Sequence, residues 1–328
     1  MRRAQLFIAL VVLAAACADA ASETPDSLRL LAHDSFAEAV SPDTFGPFTT
    51  ATGIEVEVIA GSDAGSMVNQ AILSKDNPLA DVMFGVDDTF LSRALDEEIF
   101  VEHVSPLLEN VVAGLDPSNP LVTPIDFGDV CINYDKAWFE TSQTPIPTTL
   151  GQLRDPTYAS TLTVEHPATS SPGLAFMLAT IVEYGEEGWL DFWADLEAGG
   201  VRVVPDWNTA YYTDFVPYGG ESAMVVSYAS SPPAEVIYAT EPIDEAPTGV
   251  IEAGCYRQVE YAGILDGTAY PEAAGELIDF MLSVDFQETI PLTWFVFPAN
   301  GDAKLPPEFI ENTIIPTQRA RLTPETIA

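Results

Sequence analysis

A short apolar run occupies residues 28–32, and residues 54–60 alternate apolar and acidic side chains with the period of a half-buried strand. Residues 36–50 and 66–74 carry their apolar positions at helical spacing. A third apolar run, 80–86, is entered from the turn signal Asp76-Asn77-Pro78. This strand–helix–strand–helix–strand order predicts a parallel sheet, because parallel neighbours need a crossover and a helix commonly supplies it.

A long, mostly apolar extended stretch at 121–134 ends at Asp135-Lys136 and is followed by a Thr- and Pro-rich loop at 141–149. A second alternating unit comes next: strand 161–165, helices over 173–184 and 187–198, strand 201–204, helix 209–216 and strand 223–228. Strand 259–265 returns toward the first unit, helices follow at 273–282 and 284–288, and the tail after Pro306 is expected to wrap the outside. The pattern has no internal repeat. It predicts an α/β protein of two lobes joined by crossing strands. Residues 28–125 form the first part of lobe 1, residues 126–260 lobe 2 with hinge strands at its ends, and residues 261–328 the return to lobe 1 and the tail. In such a plan a ligand binds where loops at the carboxyl ends of the strands face each other.

The first residues decide the compartment. Arg2 and Arg3 precede an unbroken apolar run over 6–16 that stops at Cys17, which is the pattern of a signal peptide. The run falls short of the roughly 20 residues of a membrane span. Leu13-Ala14-Ala15-Ala16-Cys17 reads as a lipobox closing a signal peptide at 1–17, with Cys17 lipidated and 18–27 as an acidic tether. Ala18-Asp19-Ala20 offers ordinary cleavage as the alternative. The expected location is the periplasm or cell surface, lipid-anchored to the membrane. In that oxidising setting Cys131 and Cys255 are expected to form a disulfide.

Fifty acidic residues face twelve Lys and Arg, a formal charge of −38 with only three lysines. That excludes a nucleic-acid binder, which needs clustered basic residues against phosphate. It permits a cationic ligand, although acids spread along the chain also suit a solvated surface in a saline habitat.

Candidate chemistry gathers in loops. His33-Asp34-Ser35-Phe36 leaves the first strand with an imidazole and a carboxylate, suited to a cation or polar ring, or with Asp34 or Ser35 as a helix cap. Asp63, in Gly61-Ser62-Asp63-Ala64-Gly65-Ser66, is a ligand acceptor or a cap. Ser170 and Ser171 stand before Pro172 at the start of a helix, where free amides and the helix dipole favour an anion or simply cap the helix. Trp207, Tyr211, Tyr212 and Tyr228 supply flat rings for a heteroaromatic cation, joined by Trp294, Phe295 and Phe297. The three histidines show no metal-binding spacing and the chain carries no G-x-S-x-G elbow, so neither a cofactor nor a metal is expected and the chain does not read as an enzyme.

Taken in order, several of these stretches resemble the periplasmic thiamine-binding proteins of bacterial ABC importers. They are His33-Asp34-Ser35-Phe36, the run from Ala80 to Asp87, Pro124-Ile125-Asp126-Phe127-Gly128 with Tyr134-Asp135-Lys136, Ser170-Ser171-Pro172-Gly173-Leu174, Ser227-Tyr228 with Ser231-Pro232, and Phe286-Gln287 through Pro298. The resemblance covers nearly the whole mature chain. It implies a type II periplasmic-binding-protein fold that closes over thiamine or a thiamine mono- or diphosphate by hinge motion, works as a monomer, and partners an ABC permease and its ATPase. It assigns site positions to Asp34, Asp63, Ser170, Ser171, Trp207 and Tyr228, with Phe295 or its neighbour Trp294 near a family tryptophan. His33 stands where the family commonly has tyrosine, Val40 where it can have tryptophan, and Ala234 where it can have tyrosine, so the site holds fewer aromatics. Ferric-iron or polyamine binding on the same fold, with Tyr211-Tyr212 as the iron candidates, and a thiamine-degrading enzyme using Cys131 are the rival readings.

Overall fold

The computed structural model describes residues 24–116 and 118–327. The signal segment, Cys17 and residues 18–23 of the tether lie outside the described residues. Strands are β1 (Ser27–Ala32), β2 (Glu55–Ala60), β3 (Val82–Asp87), β4 (Phe100–Val101), β5 (Thr123–Asp135), β6 (Leu162–Glu165), β7 (Arg202–Val204), β8 (Met224–Tyr228), β9 (Thr248–Leu265) and β10 (Phe297–Pro298). Helices of the first half are α1 (Asp34–Ala39), α2 (Gly46–Thr52), α3 (Ala64–Leu73), α4 (Leu91–Asp96), α5 (Lys136–Ser142) and α6 (Pro156–Ala159). Those of the second are α7 (Ser171–Gly199), α8 (Pro232–Ile237), α9 (Pro271–Met281), α10 (Val284–Gln287), α11 (Ile290–Thr293), α12 (Pro307–Asn312) and α13 (Pro324–Ile327).

One sheet runs β2-β1-β3-β9-β5-β8-β6-β7, with β10 on β5 and β4 on β9. Its two ends are parallel triads, β2-β1-β3 and β8-β6-β7, as the alternating order predicts. The two long strands β5 and β9 run antiparallel to each other and carry the chain between the triads. The alternation of β1 and β3 sorts their side chains. Leu31 and Met83 join Met67 and Leu91 in one core, with Val86 brought to the same side by the register shift after Phe84, whereas Leu30, Val82 and Phe84 join Phe36, Ile278 and Phe286 in another. A third core collects Val130, Ile132, Leu162, Val164, Phe176, Phe192, Met224 and Val226 around the second triad.

Several elements differ from the sequence expectation. The helix expected over 36–50 breaks into α1, a 3-10 turn at Pro42–Phe45 and α2, because Pro42 and Pro47 deny the preceding turns their amide donors. The two helices expected over 173–184 and 187–198 are present as the two arms of α7, separated at Gly185, whose φ of +70° and ψ of 174° are non-helical and suit glycine. The helix expected over 209–216 is a π-helical turn at Thr209–Asp214. Strand β9 starts at Thr248, well before the predicted 259, since Gly249, Glu252, Gly254 and Arg257 mask the strand pattern.

Cys131 on β5 and Cys255 on β9 form the expected disulfide, with Cα atoms 4.4 Å apart. It fastens the crossing strands where their register shifts between Val130 and Ile132. The tail follows: Ala320 exchanges backbone hydrogen bonds with Cys255 and Arg257, both at 2.8 Å. No helix among the described residues is long and apolar enough to cross a membrane.

Candidate functional site

A cleft of about 300 Å³ opens between the loops that leave the two parallel triads. Of the ten side chains expected there, eight line it: His33, Asp63, Ser171, Trp207, Tyr211, Tyr228, Trp294 and Phe295. Asp34 and Ser170 do not. Asp34 starts α1 and its carboxylate accepts from the Ser35 amide at 2.8 Å. Ser170 is the fully buried residue before α7, behind Ser171.

His33 leaves β1 and caps α1, its Nδ1 accepting from the Phe36 amide at 3.2 Å. With Nδ1 an acceptor, the neutral ring carries its proton on Nε2. That atom lies 3.6 Å from Glu260 Oε1 on β9. Gly85 makes the placement possible, since a Cβ there would fall 2.3 Å from the imidazole. Glu260 pairs across the sheet with Asp126 of β5. Burial, reinforced by the charge of Glu260, pushes Asp126 well above the ordinary carboxylate range. Burial opposes the charge on Glu260 as well, but the charge of His33, together with the close approach of His33, Asp126 and Gln258, outweighs it and holds Glu260 below its usual value. For His33, burial disfavours the imidazolium, but the proximity and charge of Glu260 together with the charges of Asp63 and Asp34 outweigh it, raising its pKa. Asp126 also accepts from the Trp294 indole at 3.0 Å, which orients that ring in the cleft.

The opposite wall is aromatic. Trp207 stacks on Tyr211 with ring centroids 5.0 Å apart and planes 18° from parallel, and Tyr212 meets both edge-on. The Trp207 indole donates to Ser227 at 3.0 Å. Tyr211 and Tyr218 both donate to Glu235, at 2.8 and 2.9 Å, so the cluster is held from behind. Tyr228 at the end of β8 closes on Gly128, where an added Cβ would lie 2.7 Å from the phenol ring. Phe295 takes a left-handed φ of +58°, unusual for a bulky side chain, and meets Tyr238 edge-on.

Asp63 caps α3 by accepting from the Ala64 amide at 2.7 Å and also accepts from the Trp207 amide at 3.1 Å across the cleft. Burial pushes its carboxyl up to about 6. The Ser170 hydroxyl lies beside Asp63 but, like that of Ser171, is buried without an aligned hydrogen-bond partner. Glu165, at the end of β6, is buried with neither oxygen paired, and burial pushes its carboxyl well above the usual range. Other links join the two sides: Asn208 donates to Glu38 at 3.1 Å, and the Gly65 amide donates to Thr169 at 3.0 Å.

The sequence reading missed Glu38, Asn208, Tyr238 and, above all, Glu260. A lone acid in the otherwise apolar run Val259-Glu260-Tyr261-Ala262 was the available signal. Cys131 is buried in the disulfide and offers no thiol nucleophile. Among the described residues no group of three or more His, Cys, Asp or Glu converges as a metal-binding set.

Residues 77–321 match the model of a bacterial extracellular solute-binding protein family. The thiamine-binding periplasmic protein of Salmonella typhimurium is 30% identical over 307 residues, spanning 92% of this chain and 89% of that one. The counterpart from Brucella suis is 27% identical over 320 residues, 94% and 90% of the two chains. A solved periplasmic thiamin binding protein superposes with a TM-score of 0.81 at 26% identity, covering 92% and 91%. The family match over three quarters of the chain, together with these relatives, places the chain in the bacterial extracellular solute-binding protein family.

Proposed function

We propose that the chain captures thiamine or a thiamine phosphate in its cleft and delivers it to an ABC permease and its ATPase. The solute-binding role in ABC-type import follows from the family; the vitamin is the specific reading. The observation that carries it is the pairing of a stacked aromatic wall, Trp207 and Tyr211, with the carboxylates Asp63 and Glu260 in a cleft that no described lysine or arginine lines. A flat, positively charged, two-ring solute matches that pairing through stacking, cation–π attraction and charge. The relatives' binding of thiamine supports the same solute.

Calorimetric titration with thiamine, spermidine and ferric iron in parallel tests the reading. Heat with thiamine alone supports it; saturable binding of spermidine or iron without thiamine binding overturns it in favour of a polyamine or iron carrier. His33, Asp63, Ser171, Trp207, Tyr211, Tyr228, Trp294 and Phe295 are the proposed contact residues. Asp34 and Ser170 act from behind them. The working division keeps 28–125 and 261–328 as one lobe and 126–260 as the other. The working unit is a monomer tethered outside the cytoplasm by lipid on Cys17. Loss of radiolabelled-lipid incorporation in Cys17→Ser supports the tether, and incorporation that persists removes it.

A further inference from the structure

The protein has few cations, and the structure shows where its arginines go. Buried Asp129 is held by Arg257 through two hydrogen bonds at 2.6 and 2.8 Å, with Arg319 at 3.5 Å. Buried Asp88 has Arg321 at 3.4 Å, and Asp214 has Arg202 at 3.3 Å. Glu260 is 7% exposed, yet among the described residues its one ion-pair partner is His33, 3.6 Å away and already engaged through Nδ1 as the cap of α1. A buried carboxylate without a permanent cation is costly, and the cost is removed when a ligand brings the opposite charge.

The groups around Glu260 keep it charged and aimed. Asp126, its cross-strand neighbour, is fixed by the Trp294 indole. Gln258 approaches Oε1 at 3.4 Å and is itself held by the Tyr228 hydroxyl at 3.3 Å. Tyr228 therefore reaches the carboxylate through the hydrogen-bonded Gln258, and Trp294 is fixed to Asp126, the residue paired with Glu260 across the sheet. Resting on the thiamine reading above, we propose that Glu260 is the counter-ion for the ligand's cationic ring, with His33 as the positioning residue that holds the carboxylate in place. The other acids along the cleft have closer donors of their own, Asp63 accepting from two backbone amides at 2.7 and 3.1 Å and Glu38 from Asn208 at 3.1 Å, so Asp63 adds to the acidic lining while Glu260 has the least compensated carboxylate.

The test compares thiamine with its neutral isostere, in which carbon replaces the positively charged ring nitrogen, by calorimetry on the full chain. Wild type is expected to prefer the cation by about tenfold or more. Glu260→Gln retains the isostere's affinity while the preference falls to within about twofold, and His33→Asn, which keeps a helix-capping acceptor, reduces the preference by less. A purely structural role would weaken both compounds equally and leave the ratio unchanged. Full preference retained in a folded Glu260→Gln overturns the proposal while leaving the thiamine reading intact. Wild type that binds both compounds equally overturns it without any variant. Wild type that binds neither refutes the thiamine reading and this assignment with it.

Discussion

Replacing Trp207 by alanine removes one face of the cleft and little else that thiamine binding requires. The Trp207 backbone amide, which reaches Asp63 at 3.1 Å, survives the substitution, so the link across the cleft remains. The indole ring stacked 5.0 Å from Tyr211 is lost, and with it the donor to Ser227. A cation held over such a face contributes about 0.5 to 2 kcal/mol, and lost ring stacking adds about 0.5 to 1.5. The expected weakening is about 1 to 3 kcal/mol, roughly 5- to 150-fold in Kd. Trp207→Phe keeps a face and loses only the Ser227 hydrogen bond, so it should cost about 1 kcal/mol or less. Calorimetry with thiamine reads both variants, with a thermal melt of each to confirm folding. A folded Trp207→Ala that binds with wild-type affinity removes the aromatic wall from the site; equal losses in the Ala and Phe variants would place the effect in the Ser227 bond instead of the ring face.

The Asp63 carboxyl near 6 makes the cleft pH-sensitive. Its raised folded value means that folding takes up a proton, so this group's stabilising contribution is present below 3.8 and is lost as pH rises to about 6. A bound cation favours the carboxylate, so thiamine affinity should climb as pH rises through about 6, and Asp63→Asn should flatten that step in titrations at pH 5 and 7.5; an unaltered step in the variant assigns it to another group. The disulfide closes a loop with a sequence separation of 124, so the double variant Cys131→Ser with Cys255→Ser should lose about 2 to 5 kcal/mol in urea unfolding. A stability change below about 1 kcal/mol would show that the crossing strands hold without it.

Much of the fold was legible because each parallel triad is built from short apolar strands separated by helices, a local pattern. Strand β9 was not legible in its first half, where Gly254 and Arg257 interrupt the apolar run and pairing with β5 supplies the order. The region 36–50 kept helical spacing in its apolar residues, but Pro42 and Pro47 decided the backbone. Site residues that leave strands into loops, such as His33, Asp63 and Tyr228, announced themselves by chemistry and position. Glu260 belongs to a strand interior, and only the pairing of β5 with β9 brings it beside Asp126 and His33. Ser170 illustrates the reverse case: its motif marked a helix start, while the fold turned its side chain into the protein.

Native mass spectrometry of the chain purified without added vitamin, then titrated with thiamine, tests the central claim most directly. One equivalent of thiamine or a thiamine phosphate, carried through purification or taken up saturably at low concentration, is the predicted result. A spectrum that stays at the mass of the bare chain throughout the titration contradicts it.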